Sequence, residues 1–263
     1  MQEKGPQRDE CLILIKAQPH RSSRYFETVC CAGVGRDRQW RRQYPVPFRI
    51  LKEDQKFGRW QWITYDFVPP KEDQRRESQK VVSKSLVASG KMKTSERADF
   101  LAPLVKGSLL EADASRDSLA LVRPKTVRLE AIAKSDRELT EETLKHRDLA
   151  AQLSLLEEDE QVQPMTPCRM QFQLHWQDQD GKSHKQECDD WETVAAFNRF
   201  ERQYGANKAI TFLKEKYEEA YFKSGLVLGF STHSRRNIEY ATRNQWLLVG
   251  LIRLDETHQQ SLL

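Results

Sequence analysis

The sequence predicts a protein of the α+β class, and three features of its residue pattern support that prediction. Residues 11–69 contain several short apolar or alternating runs of strand length, bounded by charged residues, glycine or proline. Residues 137–160 have the leucine spacing of an amphipathic helix. Residues 168–254 contain a hairpin pattern, two helical patterns and two closing strands. We therefore expect an N-terminal β-rich small barrel over residues 1–135, a helical linker over 136–165 and a C-terminal α+β module over 166–263.

The strand patterns of the N-terminal region follow one another closely. The apolar run CLILI, residues 11–15, predicts a buried strand, and YFETVCCAGVG, residues 25–35, predicts a second strand with a turn. The segment WRRQYPVPFRIL, residues 40–51, contains two prolines, which remove backbone donors. We therefore expect an extended segment at a sheet edge or at the mouth of the barrel. The segment RWQWITYDFVP, residues 59–69, predicts a strand with large side chains on both faces.

The rest of the chain alternates between helical and strand patterns. Residues 96–113 have helical spacing, and residues 118–133 are strand-like with a proline interruption. The alternating run CRMQFQLHW, residues 168–176, precedes a turn around Asp180–Gly181, which predicts a β-hairpin. Two amphipathic helices and then two strands close the chain, at 192–205, 207–222, 225–234 and 245–254.

Composition limits the class of protein. Charged residues make up 31% of the 263 residues and apolar residues 38%, which is enough apolar material for a core. No run approaches the roughly 18 to 20 apolar residues that span a bilayer, and the polar start MQEKGPQRDE has no signal-peptide core. The expected location is the cytoplasm, without membrane contact. Five cysteines, an odd number, predict reduced and mostly buried thiols rather than disulfides.

Positive charge and aromatic side chains are concentrated in the N-terminal region. Residues 1–100 contain 21 Lys and Arg against 13 Asp and Glu, whereas residues 161–263 contain 13 of each. Nucleic-acid grooves combine cations that pair with phosphates and flat rings on which bases stack. Aromatic residues on strands are more often core residues, which is the competing interpretation. The candidate nucleic-acid-binding residues are Arg41, Arg42, Tyr44, Phe48, Arg49, Arg59, Trp60 and Trp62.

Other constellations give weaker predictions of chemistry. Cys168, His175, His184 and Cys188 lack the close pairs that structural zinc sites use, so no metal site is predicted. The carboxylates of the segment ECDDWE, residues 187–192, suit a turn in which Asp190 caps the next helix. The segment GFSTHS, residues 229–234, does not match the nucleophile elbow. The sequence also contains no Walker loop and no GxGxxG pattern, so we predict no catalytic residue and no cofactor.

Several segments together resemble a known family. The pattern CLILIKA…SSRYFETVCCAGV…WRRQYPVPFRIL…FGRWQWITYDF, with DW…W-LL-VGL further on, resembles bacterial proteins with an R-x-YPVPFR segment, and the named family it resembles is the dual OB-containing domain. The resemblance covers roughly residues 11–80. It implies an OB-like barrel and a nucleic-acid-sensing role in mobile-element or anti-phage defence loci. Arg42, Tyr44, Pro45, Phe48 and Arg49 carry the shared segment.

The pattern and the resemblance favour the same function. We expect a non-catalytic nucleic-acid-binding protein, with DNA and RNA both open as partners. One alternative is a protein-interaction subunit that docks a partner through the helix at 137–160. A less favoured alternative is a metal-dependent nuclease that uses Asp189, Asp190 and Glu192.

Overall fold

The computed structural model describes residues 5–22, 26–154, 163–232 and 246–256. Seven strands form the N-terminal sheet. They are β1 (Gln7–Lys16), β2 (His20–Ser22), β3 (Phe26–Val34), β4 (Trp40–Val46), β5 (Gln61–Val68), β6 (Ser78–Val81) and β7 (Val87–Lys91).

Five of these strands close into a barrel. β1 is antiparallel to both β3 and β5, β4 is antiparallel to β3 and parallel to β6, and β6 is antiparallel to β5. The ring β1-β3-β4-β6-β5 is an OB-like barrel, which confirms the predicted fold class. Alternate residues point inward and fill it, among them Cys11, Ile13, Ile63 and Tyr65, all without solvent exposure.

An extended segment at a sheet edge or at the mouth of the barrel was predicted for residues 40–51. The edge position is wrong for β4, because this strand lies between β3 and β6 in the barrel wall. The ladder accommodates the first proline at an irregularity. β3 and β4 shift register between the pairs Cys31–Gln43 and Val29–Val46, and Pro45 lies within that shift. It also lies beyond the short β6 pairing, which ends at Gln43. A residue without a backbone N–H fits such a bulge.

The C-terminal elements form two further sheets and a helical layer. The strands are β8 (Val105–Lys106), β9 (Leu119–Val122), β10 (Thr126–Ala133), β11 (Met170–Gln177), β12 (Ser183–Glu187), β13 (Leu226–Thr232) and β14 (Trp246–Arg253). The helices are α1 (Arg97–Leu101), α2 (Leu109–Ala114), α3 (Asp136–Ser154), α4 (Trp191–Tyr204) and α5 (Ala206–Lys214), which a π-helical segment, Glu215–Tyr221, extends. Short 3-10 turns are Phe48–Ile50, Glu53–Gln55, Ser83–Ser85, Thr94–Glu96 and Ala102–Leu104.

The four-stranded sheet β14-β13-β9-β8 separates two apolar cores. Leu121 and Val227 point toward the outer wall of the barrel and pack with Leu12 and Leu14. Alternate residues such as Phe230 point the other way, into a core shared with α4, α5 and the sheet β10-β11-β12. The barrel therefore packs directly on the C-terminal sheet through one of its outer faces.

A pair of glycines fits the barrel to this sheet. Gly229 of β13 is paired with Gly250 of β14, and the side chain of Ile15 from β1 lies over both. A Cβ atom at Gly229 would stand 3.0 Å from Cδ1 of Ile15, closer than ordinary van der Waals contact. The glycines thus form the notch that Ile15 fills.

Several local predictions are confirmed. The strands at 11–15, 25–35 and 59–69, the hairpin after residue 168 and the two amphipathic helices are all present. The helix predicted to reach residue 160 is described as Asp136–Ser154, and its predicted remainder lies outside the described residues. The cysteines are free, and all but Cys30 are buried. Of the helices described, none is long and apolar enough to cross a membrane.

Candidate nucleic-acid interface

The two tryptophans of the predicted interface lie between the barrel and the C-terminal sheet. Trp60 and Trp62 are each 7% exposed and pack in the same core as Leu101. Arginines cover what remains of their faces: the guanidinium carbon of Arg97 is 4.5 Å from the ring centre of Trp60, and that of Arg36 is 4.0 Å from Trp62. Neither ring presents a free face to a base.

Arg42 joins the barrel to the C-terminal sheet. It is 5% exposed and donates to Oγ of Ser231 at 2.6 Å and to the carbonyl oxygen of Ser118 at 2.9 Å. The carboxylate of Glu77 lies 3.3 Å away. Burial lowers the pKa of the Arg42 guanidinium, and the nearby charge of Arg75 lowers it further.

Arg41, the neighbour of Arg42, is held within the barrel wall. Its guanidinium pairs with Asp9 at 2.7 Å and with Asp37 at 2.9 Å. Burial alone would lower the pKa of Arg41, but the hydrogen bonds to these two carboxylates outweigh it and raise the pKa above its usual value. The charge of Arg41 is therefore already neutralised locally.

Arg59 makes a deeply buried ion pair between the two parts of the protein. Its Nη2 lies 2.9 Å from Oδ1 of Asp190, whose side chain is 0% exposed. Its other nitrogens donate to the carbonyl oxygens of Leu14, at 2.8 Å, and Leu251, at 2.6 Å. One guanidinium thus ties β1 and β14 to the start of α4.

The remaining candidates line the side of the barrel near α4. Phe48 packs edge-on against Phe57 and Trp191, with ring centres 5.1 and 5.4 Å apart. Tyr44 is half-buried, and half-buried Arg49 donates to the carbonyl oxygen of Gln163. The structure therefore does not assemble the eight predicted residues into one open surface, since most of them stabilise the barrel or its junction with the C-terminal sheet.

The acidic segment before α4 has a structural role. As predicted, Asp190 caps α4 by accepting from the backbone N–H of Glu192. Glu192 pairs with Lys16 at 3.0 Å. Burial alone would raise the pKa of Glu192, but the positive charges of Lys16 and Arg59 outweigh it and hold the pKa below its usual value. The described residues hold no cluster of three His, Cys, Asp or Glu side chains that could bind a metal ion.

An exposed aromatic surface lies elsewhere, at the turn between α4 and α5. Tyr204 is 51% exposed and Phe212 is 45% exposed. Both flank Phe200, whose ring centre lies 6.4 Å from that of Tyr204 and 3.9 Å from that of Phe212. The same two helices carry three exposed cations, and the guanidinium carbon of Arg199 is 4.8 Å from the ring centre of Phe200. We call this surface the aromatic tip, and it comprises Phe200, Tyr204, Phe212, Arg199, Arg202 and Lys208.

The local sequence explains the tip. Gly205 is the single residue between α4 and α5, and it caps both helices. Its φ of +82° is a conformation that L side chains rarely adopt. The tight turn brings Phe212 of α5 against Phe200 of α4. Phe197, one turn before Phe200, is fully buried and anchors α4 in the core. Residues 199–214 contain four Lys and Arg and one Glu, a net charge of +3.

Comparison with family models divides the chain at the end of β8. Residues 107–263, more than half of the chain, match the model described as Domain of unknown function (DUF8757). The chain belongs to the DUF8757 family. In this member, residues 7–105 match a second model, Domain of unknown function (DUF8758), and that match contains the barrel. No curated protein matches the chain. The resemblance to the dual OB-containing domain and the three-part division of the chain stay predictions.

The sequence prediction did not include the aromatic tip of this DUF8757 protein, because residues 192–205 and 207–222 were interpreted only as two helices. A usable signal was nevertheless present. Phe200 and Tyr204 are one helical turn apart, and Arg199 and Arg202 lie beside them.

Proposed function

We propose that this protein binds single-stranded nucleic acid on the aromatic tip and has no catalytic role in doing so. The observation that carries the proposal is the exposure of Tyr204 and Phe212 on either side of Phe200 within a surface of net charge +3. Nucleic-acid binding is the function that the sequence favoured, but the proposed binding surface differs from the one predicted on residues 41–62.

The chemistry of the tip favours unpaired bases. Base stacking on an aromatic side chain contributes about 1–3 kcal/mol per base. The rings of Tyr204 and Phe212 offer such contacts only to bases that are not already stacked and paired in a duplex. Arg199, Arg202 and Lys208 are exposed, so they are placed to contact the phosphates of the same strand.

The test is fluorescence anisotropy of a labelled oligonucleotide, single-stranded or duplex, DNA or RNA, at two salt concentrations. We expect preferential binding of the single strand, which weakens as salt rises. Tyr204→Ala/Phe212→Ala should lower affinity by about tenfold or more, since two stacking contacts are lost. The matched control is Phe222→Ala, which removes another exposed phenylalanine of the same helical layer, 38% exposed.

Two results would contradict the proposal. One is equal binding by the wild type and Tyr204→Ala/Phe212→Ala. The other is the absence of binding together with a protein complex that survives high salt, which would favour docking through α3, where Leu144 is 54% exposed. An Arg41→Ala/Arg49→Ala variant, run in parallel, tests the surface that the sequence predicted.

A further inference from the structure

The outer face of the sheet β10-β11-β12 carries two ordered rows of polar side chains. Leu129 and Leu174 point into the core, so their neighbours point outward. Residues that share a register form the rows across the three strands. The first row is Thr126–Gln177–Ser183 and the second is Arg128–His175–Lys185.

A concavity of about 390 Å³ opens at this end of the sheet. It is lined by residues of all three strands, namely Thr126, Val127, Arg128, His175, Trp176, Gln177, Ser183 and His184. None of the described residues that line it is acidic. The polar part of the lining comprises a guanidinium, an amide, two hydroxyl groups and two imidazoles. The guanidinium, the amide and the hydroxyl groups can donate hydrogen bonds to a ligand, whereas Nε2 of His184 already lies 2.8 Å from Oδ2 of Asp178.

The side chains of the wall differ in whether they already have partners. Nε2 of His175 lies 2.6 Å from Oε2 of Glu130, which Lys185 also approaches at 3.3 Å. These two contacts fix the positions of His175 and Lys185. In contrast, within the described part of the chain Arg128 has no hydrogen-bond or ion-pair partner, and the hydroxyl groups of Thr126 and Ser183 have none either.

From this arrangement we infer that the concavity is a binding site for a phosphomonoester group. A guanidinium fork matches the spacing of two phosphate oxygens, and the hydroxyl groups of Thr126 and Ser183 can donate to the third. Among the described lining residues, Arg128 carries a full positive charge and none carries a negative charge. A free phosphate, a nucleotide and the phosphorylated end of a nucleic-acid strand share this chemistry.

The site does not depend on the aromatic tip, since its lining contains no residue of α4 or α5. The two proposals can therefore fail separately. Loss of phosphate binding would leave oligonucleotide binding by Tyr204 and Phe212 unaffected, and the reverse also holds.

The experiment is isothermal titration of the full chain with inorganic phosphate, adenosine 5′-monophosphate and adenosine. We expect saturable binding of the two phosphates and none of adenosine. Arg128→Ala should weaken phosphate binding about tenfold or more, because it removes a charge-assisted hydrogen bond. Arg169→Ala is the matched control, since Arg169 is also exposed and adjoins the opposite end of the same two strands, about 20 Å away.

The outcomes separate the sources of the phosphate. A preference for a 5′-phosphorylated over a 5′-hydroxyl oligonucleotide, lost in Arg128→Ala, would identify strand ends as the ligand. Binding of adenosine 5′-monophosphate but no such preference would identify a free nucleotide. Absence of saturable binding by either phosphate, or an unchanged affinity in Arg128→Ala, would overturn the inference.

Discussion

Asp190 offers the sharpest test of how the two parts of the protein are held together. Its carboxylate is 0% exposed and accepts from Arg59 at 2.9 Å, from the hydroxyl of Thr193 at 3.2 Å and from the backbone N–H of Leu251 at 3.3 Å. Asp190→Ala would leave the Arg59 guanidinium, itself only 12% exposed, without its counter-charge. Breaking a buried pair from one side costs about 3–5 kcal/mol. We expect a loss of that size in the free energy of unfolding.

The assay is urea unfolding followed by tryptophan fluorescence. Asp180→Ala, in an exposed turn, is the control for removal of an aspartate. In Asp190→Leu/Arg59→Leu both charges are absent, so no charge is left buried, and the double variant should be more stable than Asp190→Ala. A loss below about 1 kcal/mol in Asp190→Ala, within the range of ordinary substitutions, would refute the reasoning.

Two further predictions concern the same junction. Gly229→Ala should lower the free energy of unfolding by about 1–3 kcal/mol, because its Cβ would crowd Ile15. The control is Gly90→Ala, which has open space around it and should not crowd any neighbour. Equal unfolding midpoints for the two variants would contradict this prediction. The lowered pKa of Glu192 stabilises the folded state above the usual glutamate pKa, and this contribution is lost as pH falls through the lower folded value. Lys16→Met should therefore reduce the loss of stability between neutral and acid pH, and an unchanged pH profile would show that the pair contributes nothing.

Local patterns predicted the elements well because their causes are local. The turn at Asp180–Gly181 and the alternation before it specify the hairpin β11-β12, and Gly181 indeed has φ +83°. The cap at Asp190 likewise follows from its position before an amphipathic run. Residues 118–133 show the limit: the proline interruption was visible, but not that β9 and β10 on either side of it belong to different sheets.

The position of β4 shows the same limit within the barrel. Two prolines in the twelve residues of segment 40–51 favour a sheet edge. The rule fails for β4 because the β3–β4 ladder shifts register where Pro45 lies. That shift is a property of the pairing with β3, whose residues lie outside segment 40–51. Segment 40–51 alone could not reveal it.

The predicted site residues do not form one open surface, for a reason that applies to any basic and aromatic segment. Arginines beside aromatic rings suit contact with a ligand, but they suit contact with another part of the same chain equally well. What separates the two cases is the distant partner: Arg42 is satisfied by Ser118 and Ser231, and Arg59 by Asp190 and Leu251. These partners lie 76 to 192 positions away, beyond any local window. Arg128, with no such partner among the described residues, and the half-exposed rings of Tyr204 and Phe212 are where contacts with other molecules remain open.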